Sequence, residues 1–353
     1  MMHIAADQVC TPPTGRKTLR SLPAVLPALI ALPYPLIVDG FRASIGVPGT
    51  SPSPGALALA ALLLLLMFAV PLAGFLHVMA TSSRHGRIQS AEVRSRRLGY
   101  LVVAAPTLYC MVGVLQILAG SPVPDPLAWA ILWGAGIILF LRMPLSERST
   151  RPMIPGAGLR VIHGVTAAVL LVYLAFHLTN HLLAWFGEDA HSSFMEMGRS
   201  VYRAPLIEPV LVAAMLFQAG TGILLAWRWS AQRADFHRAF QVASGVFLSV
   251  FILGHMNSVF ILARTFFGIE TGWDFATGAP NGLLHDPWSV RLIPHYALGV
   301  FFIIAHLFSG LRVVLLAHGT RRRTGNILWA VGATFAALLS FTIMLAMCGM
   351  RLG

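Results

Sequence analysis

Charge is what this chain most lacks. Only 11% of its 353 residues are Asp, Glu, Lys or Arg, less than half the roughly 25% of soluble domains. With 57% hydrophobic residues and a mean hydropathy of +0.75, no water-soluble fold could bury so much apolar surface. The composition predicts an all-α polytopic integral membrane protein, with the lipid bilayer as its solvent. Acids are scarcest: 13 against 25 Lys and Arg, a formal net charge of +12. That excess does not indicate nucleic acid, because the arginines recur in short loops on one side of successive apolar runs, the positive-inside pattern. Cysteine is nearly missing. Cys10, Cys110 and Cys348 provide neither a disulfide framework nor a metal spacing, and the last two sit in apolar runs where a thiol is a small hydrophobe. Residues 1–20 lack the apolar core of a signal peptide and read as a polar tail.

Long apolar runs are what is there. About nine spans are expected, over 21–39, 55–80, 98–119, 125–144, 159–186, 206–228, 240–266, 293–317 and 326–349. The first carries Pro23, Pro27, Pro33 and Pro35 and reads as broken or re-entrant. Arginine-rich loops at 83–97, 142–151, 228–238 and 318–323 fall on the side of Arg16, Lys17 and Arg20. The loops 187–205 and 267–292 carry Glu188, Asp189, Glu196, Glu270, Asp274 and Asp286. The alternation places the amino terminus in the cytoplasm and the carboxyl terminus opposite, in a bacterial-type inner membrane. A basic, Ser- and Pro-containing seam at 145–158 divides the chain: the 1–20 tail, a four-helix region over 21–150 of unknown role, and a five-helix region over 151–353.

The histidines lie unevenly across that seam. In the first four spans there is one, His77, which reads as structural. In the fifth, His163 and His177 are 14 residues apart, close to four whole turns, and His181 follows one turn later. The seventh carries His255; the eighth carries His295 and His306 on one face. Counted from Arg160 and Arg238, His177 and His255 each lie about 17 residues, or ~25 Å, into the membrane. Two imidazoles at one depth on separate helices suit axial ligation of b-type haem, which needs two neutral nitrogen donors, a dry sleeve and small residues that admit the porphyrin. Small residues are at hand: Gly164, Ala219, Gly222, Ser244, Gly245 and Gly299 among them. Zinc lacks a four-ligand set at that depth.

Over about residues 158–349 the chain resembles the membrane cytochrome b subunit of succinate dehydrogenases and fumarate reductases, in its single-chain, five-helix form. The resemblance rests on Arg160, His163 and Gly164 at a helix start, on "HLTNH" from His177 to His181, on "GVFLSVFILGH" ending at His255, and on "GVFFIIAHLFSG" around His306. It implies haem ligation by His177 and His255, quinone as electron partner, and flavoprotein and iron–sulfur subunits on the cytoplasmic side. Where the family pattern places a second-helix histidine, this chain has Gln218 in "LFQAGTG". His306 is then without its expected imidazole partner, and a second haem site is degraded, differently ligated or empty. His163 and His295, near opposite interfaces, read as partners of haem propionates, quinone or water rather than iron. Quinone and proton candidates are His181, Asn180, Glu208 and Asn257, with a capping role for the Glu208 carboxylate as the alternative. His191 and His285 read as solvated loop residues.

The implied function is electron transfer between a redox partner and quinone, as a subunit of an oxidoreductase complex. The alternative is a haem-free derivative of the fold acting as a transporter or assembly scaffold. Its intramembrane acids would be sparse, since Asp39 and Glu208 are expected only at span ends. A two-haem ferric or thiol reductase would need two complete histidine pairs.

Overall fold

The computed structural model describes residues 25–49, 51–83, 90–142 and 156–352. Among these, every regular element is helical. Eight helices are long and apolar enough to cross a membrane, and a ninth crossing would be a bent pair. The chain is thus a helical membrane protein. The 1–20 tail, Arg84, Arg87 and most of the 145–158 seam lie outside the described residues.

We label the helices α1 (Val25–Ile45), α2 (Pro54–Ser82), α3 (Ser90–Val103), α4 (Ala105–Leu118), α5 (Asp125–Arg142) and α6 (Ala157–Leu183). Then come α7 (Glu188–Tyr202), α8 (Ile207–Ser230), α9 (Phe236–Met256), α10 (Leu292–Ala317) and α11 (Arg322–Met347). Short helical turns at Trp273–Thr277 and Gly282–His285 precede α10.

Local sequence explains where these helices start and break. The Ser53 side chain accepts from the Ala56 amide at 3.2 Å with Pro54 following it, and the Asp235 side chain accepts from Arg238 at 2.9 Å. The prolines of α1 interrupt it only briefly at Leu32 and Pro33, after which it runs on to Ile45. Asp39, expected at a span end, therefore sits inside a helix, on an exposed face. The expected third span, 98–119, is not one straight rod. It divides into α3 and α4 at a 71° bend, because Pro106 has no amide to continue the ladder. α3 is polar, with Glu92, Arg94, Arg96 and Arg97. α2 and α3 cross where Gly74 meets Gly99; a Cβ on Gly74 would lie 2.8 Å from the Gly99 carbonyl.

α6 packs on α8, α8 on α9, α9 on α10, α10 on α11, and α11 returns to touch α6. The five helices close into a ring in which α6 stands across from α9 and α8 across from α10. The helices α2, α3 and α4 pack against the outside of α9. One continuous set of buried side chains runs from Ala28 to Met347, so the two halves share a core.

Three arginines fasten the halves. The Arg96 side chain is fully buried, donating to the carbonyls of Thr81, Ser230 and Gln232 and pairing with Glu92 at 2.8 Å. Arg97 lies over the Trp227 ring, 3.3 Å from its centre, and donates to Ser230. At the opposite end Arg291 pairs with Asp125 at 2.6 Å, beside Tyr109 and Trp288. His77 joins α2 to α3 through Ser95 Oγ at 2.8 Å.

Candidate functional site

The ring places a chain of histidines at the α7 end. His177 on α6 and His255 on α9 face each other with ring centres 6.1 Å apart. Two imidazoles bound to opposite sides of one metal have ring centres about 6 Å apart, from two ~2 Å metal–nitrogen bonds and the depth of each ring. Neither ring makes a hydrogen bond to a described residue. His255 stands in the last α turn before an eleven-residue π stretch, Asn257–Phe267; such widenings recur at functional sites. Tyr173 stacks on His177 at 5.7 Å, and Phe251 stacks on His255 at 5.8 Å, within 3° of parallel. Phe251 also rests on His295 at 4.6 Å. Its ring occupies the space left by Gly299, where a Cβ would lie 2.4 Å from it.

Behind His177 the chain continues to His181, at 4.8 Å, and from His181 to His191, at 5.7 Å. The segment 187–205, expected as an acidic loop, contains the helix α7. α7 is amphipathic and folds back onto the end of α6, so His191 is buried at 2% exposure and is not a solvated loop residue. Its Nε2 lies 3.0 Å from Asn180 Nδ2, and its ring packs on Trp273 at 4.8 Å. Arg199 ties α7 to the segment before Trp273 through Glu270 and the Thr271 carbonyl, and pairs with Glu196 on α7 itself. Four buried polar atoms in this quarter have no hydrogen-bond partner among the described residues: His181 Nδ1, His191 Nδ1, Asn180 Oδ1 and His295 Nδ1. Orphaned groups of this kind are costly in a dry interior unless something meets them.

Burial, with the nearby Arg199 charge second, pushes the His191 imidazole down to about 4. Its folded value lies below its unfolded one, so its neutral form supports the fold fully above about pH 6.5, and that support is lost as pH falls toward 4. The groups facing it are His181, Asn180, Trp273 and Arg199. Thermal unfolding of the detergent-solubilised protein should therefore drop more steeply between pH 6.5 and 4 than that of His191→Gln. Equal slopes would show that His191 is not held neutral.

The arginine-rich end carries a second polar cluster, with one group from each of four helices. His163 Nδ1 on α6 lies 2.7 Å from Thr221 Oγ1 on α8, and His306 Nδ1 on α10 lies 2.8 Å from Ser244 Oγ on α9. Gln218, at the expected ligand position, instead donates to the His163 carbonyl at 2.7 Å. Of the other candidates, Glu208 forms an ion pair with Arg264 at 2.6 Å, tying the start of α8 to the π stretch. Asn257 is the first residue of that stretch. His295, expected near water, is buried at 4% exposure. His285 Nδ1 lies 3.1 Å from the Gly46 carbonyl, linking the halves. Sequence reasoning missed His191, Trp273 and the hydroxyls of Thr221 and Ser244. The spacing of Glu188, His191 and Arg199 on one amphipathic helix was the available signal for the first.

Among the described residues, no group of three or more His, Cys, Asp or Glu could hold a metal ion. Comparison with family models, curated proteins and solved structures gives no match to this chain.

Proposed function

We propose that the five-helix ring is a b-type cytochrome that passes electrons between a redox partner and quinone in the membrane. The observation carrying this reading is the His177–His255 pair, with ring centres 6.1 Å apart on opposing helices and no hydrogen bond from either ring to a described residue. His177 and His255 would be the axial ligands, and the haem would supply a one-electron carrier in a low-dielectric sleeve. The protein's own contribution is orientation. Tyr173 and Phe251 hold the two rings by stacking, and the ring of helices keeps water away.

The Nδ1 atoms of His181 and His191, without a partner among the described residues, would supply the donors that quinone oxygens need, and Asn180 Oδ1 an acceptor for a quinol hydroxyl, beside the His177 edge. Arginine placement supports a cytoplasmic amino terminus, with the flavoprotein and iron–sulfur partners docking on the arginine-rich side. The resemblance to the succinate dehydrogenase and fumarate reductase cytochrome b supports the same assignment.

Purified full-length protein should show a reduced-minus-oxidised b-type spectrum and bind porphyrin stoichiometrically. A folded, colourless preparation would overturn the reading and leave the transporter or scaffold alternative in its place.

A further inference from the structure

The cluster at the arginine-rich end has a feature that the missing second-helix histidine conceals. The Thr221 hydroxyl has one proton, and it donates that proton to the Phe217 carbonyl at 2.7 Å. Toward His163 Nδ1 it can then only accept, so the proton of His163 resides on Nδ1. Ser244 repeats the arrangement. Its hydroxyl donates to the Phe240 carbonyl at 2.8 Å and therefore accepts from His306 Nδ1. In both rings Nε2 is left as the bare lone-pair nitrogen. An imidazole whose Nδ1–H is anchored by an outer oxygen and whose Nε2 is free is the form in which histidine binds metals.

The two rings also belong to one site. Their Cε1 atoms flank the same α8–α9 crossing: His306 lies 3.4 Å from a Cβ built on Gly245, and His163 lies 3.9 Å from one built on Gly222. Beside Gly164 and Gly220 a Cβ would meet open space. Ser244 precedes His255 by eleven residues on α9, or ~16 Å of helix, so this pair is a separate site from the first.

We infer that His163 and His306 are the axial pair of a second b-type haem, with His163 taking the part for which Gln218 is unsuited and Gln218 serving to fix the α6 backbone. The inference rests on the cytochrome reading above and adds a ligand set to it.

Haem content per polypeptide and redox titration of purified full-length protein in detergent test it. The parent should carry two haems. His163→Ala and His306→Ala should each carry one, having lost the same spectral component, and the double variant should also carry one. Gln218→Ala should keep both. Added imidazole should restore the missing component to His163→Ala. Should either alanine variant fail to fold, Thr221→Val and Ser244→Ala provide the test: each removes an anchor that makes the imidazole a stronger donor to ferric iron, so each should raise the potential of that same component.

One haem in the parent, removed by His177→Ala or His255→Ala and untouched by the His163 and His306 variants, would overturn this inference and leave the cytochrome reading intact. A second haem that survives in His163→Ala but not in His306→Ala would also overturn it. Absence of any haem would overturn both.

Discussion

On the cytochrome reading proposed above, His255→Ala should leave a folded protein without the haem of the α7 end. The expectation that folding survives comes from what His255 does not do. Its ring makes no hydrogen bond to a described residue, so truncation orphans no donor or acceptor, and the loss is confined to stacking on Phe251 and contact with His177. Removing a stacked ring costs on the order of 1 kcal/mol beyond its buried area. On that reading the variant loses one of its two axial ligands, a bond that stacking cannot replace. His181 is one turn beyond His177 on the same helix, so the two rings meet at 4.8 Å without a second helix between them. Haem content and the reduced spectrum, read beside a thermal melt, separate the outcomes. Full haem occupancy in a folded His255→Ala would remove this residue from the ligand set, whereas a variant that cannot be extracted as a folded monomer would show that the ring is structural.

A different kind of loss is expected from Asp125→Ala. The Asp125 and Arg291 side chains pair at 2.6 Å with 17% and 8% of their surfaces exposed. Arg291 is enclosed by Tyr109, Trp288 and the buried face of α4. Removing the acid leaves a buried guanidinium without its counter-charge, and breaking such a pair from one side costs about 3–5 kcal/mol. Because the pair joins α5 to the start of α10, the damage should spread to both halves. Thermal unfolding should shift markedly downward, and Asp125→Ala with Arg291→Met should recover most of the loss, because the double change removes both charges. A single variant as stable as the parent would show that the pair is not closed off from water.

Hydropathy made the membrane rods legible, since a run of about 20 apolar residues has few other uses. It made the α3–α4 bend illegible, because 98–119 is apolar enough to pass as a single rod and the effect of Pro106 is purely local. α7 was read as loop for the opposite reason. Its charges exclude it from the membrane, and its burial comes from docking onto α6, a tertiary event that no window of sequence contains. His177 and His255 were found by counting depth along two helices. The tautomers of His163 and His306 could not be, because their anchors are 58 and 62 residues away in the chain. The π stretch after His255 also left no mark, since it differs from α-helix only in which carbonyl each amide finds.

The two helices that carry the first histidine pair are supported very unequally. In the span containing α9, 39% of the most apolar window is enclosed by protein, against 6% for the span containing α6. One wall is therefore backed by α2, α3 and α4, while the other is held only by α7, α8 and α11. On the cytochrome reading, a flat, greasy cofactor arriving sideways from the lipid would meet this thinly covered side first, so its retention should depend on how firmly α7, α8 and α11 hold α6.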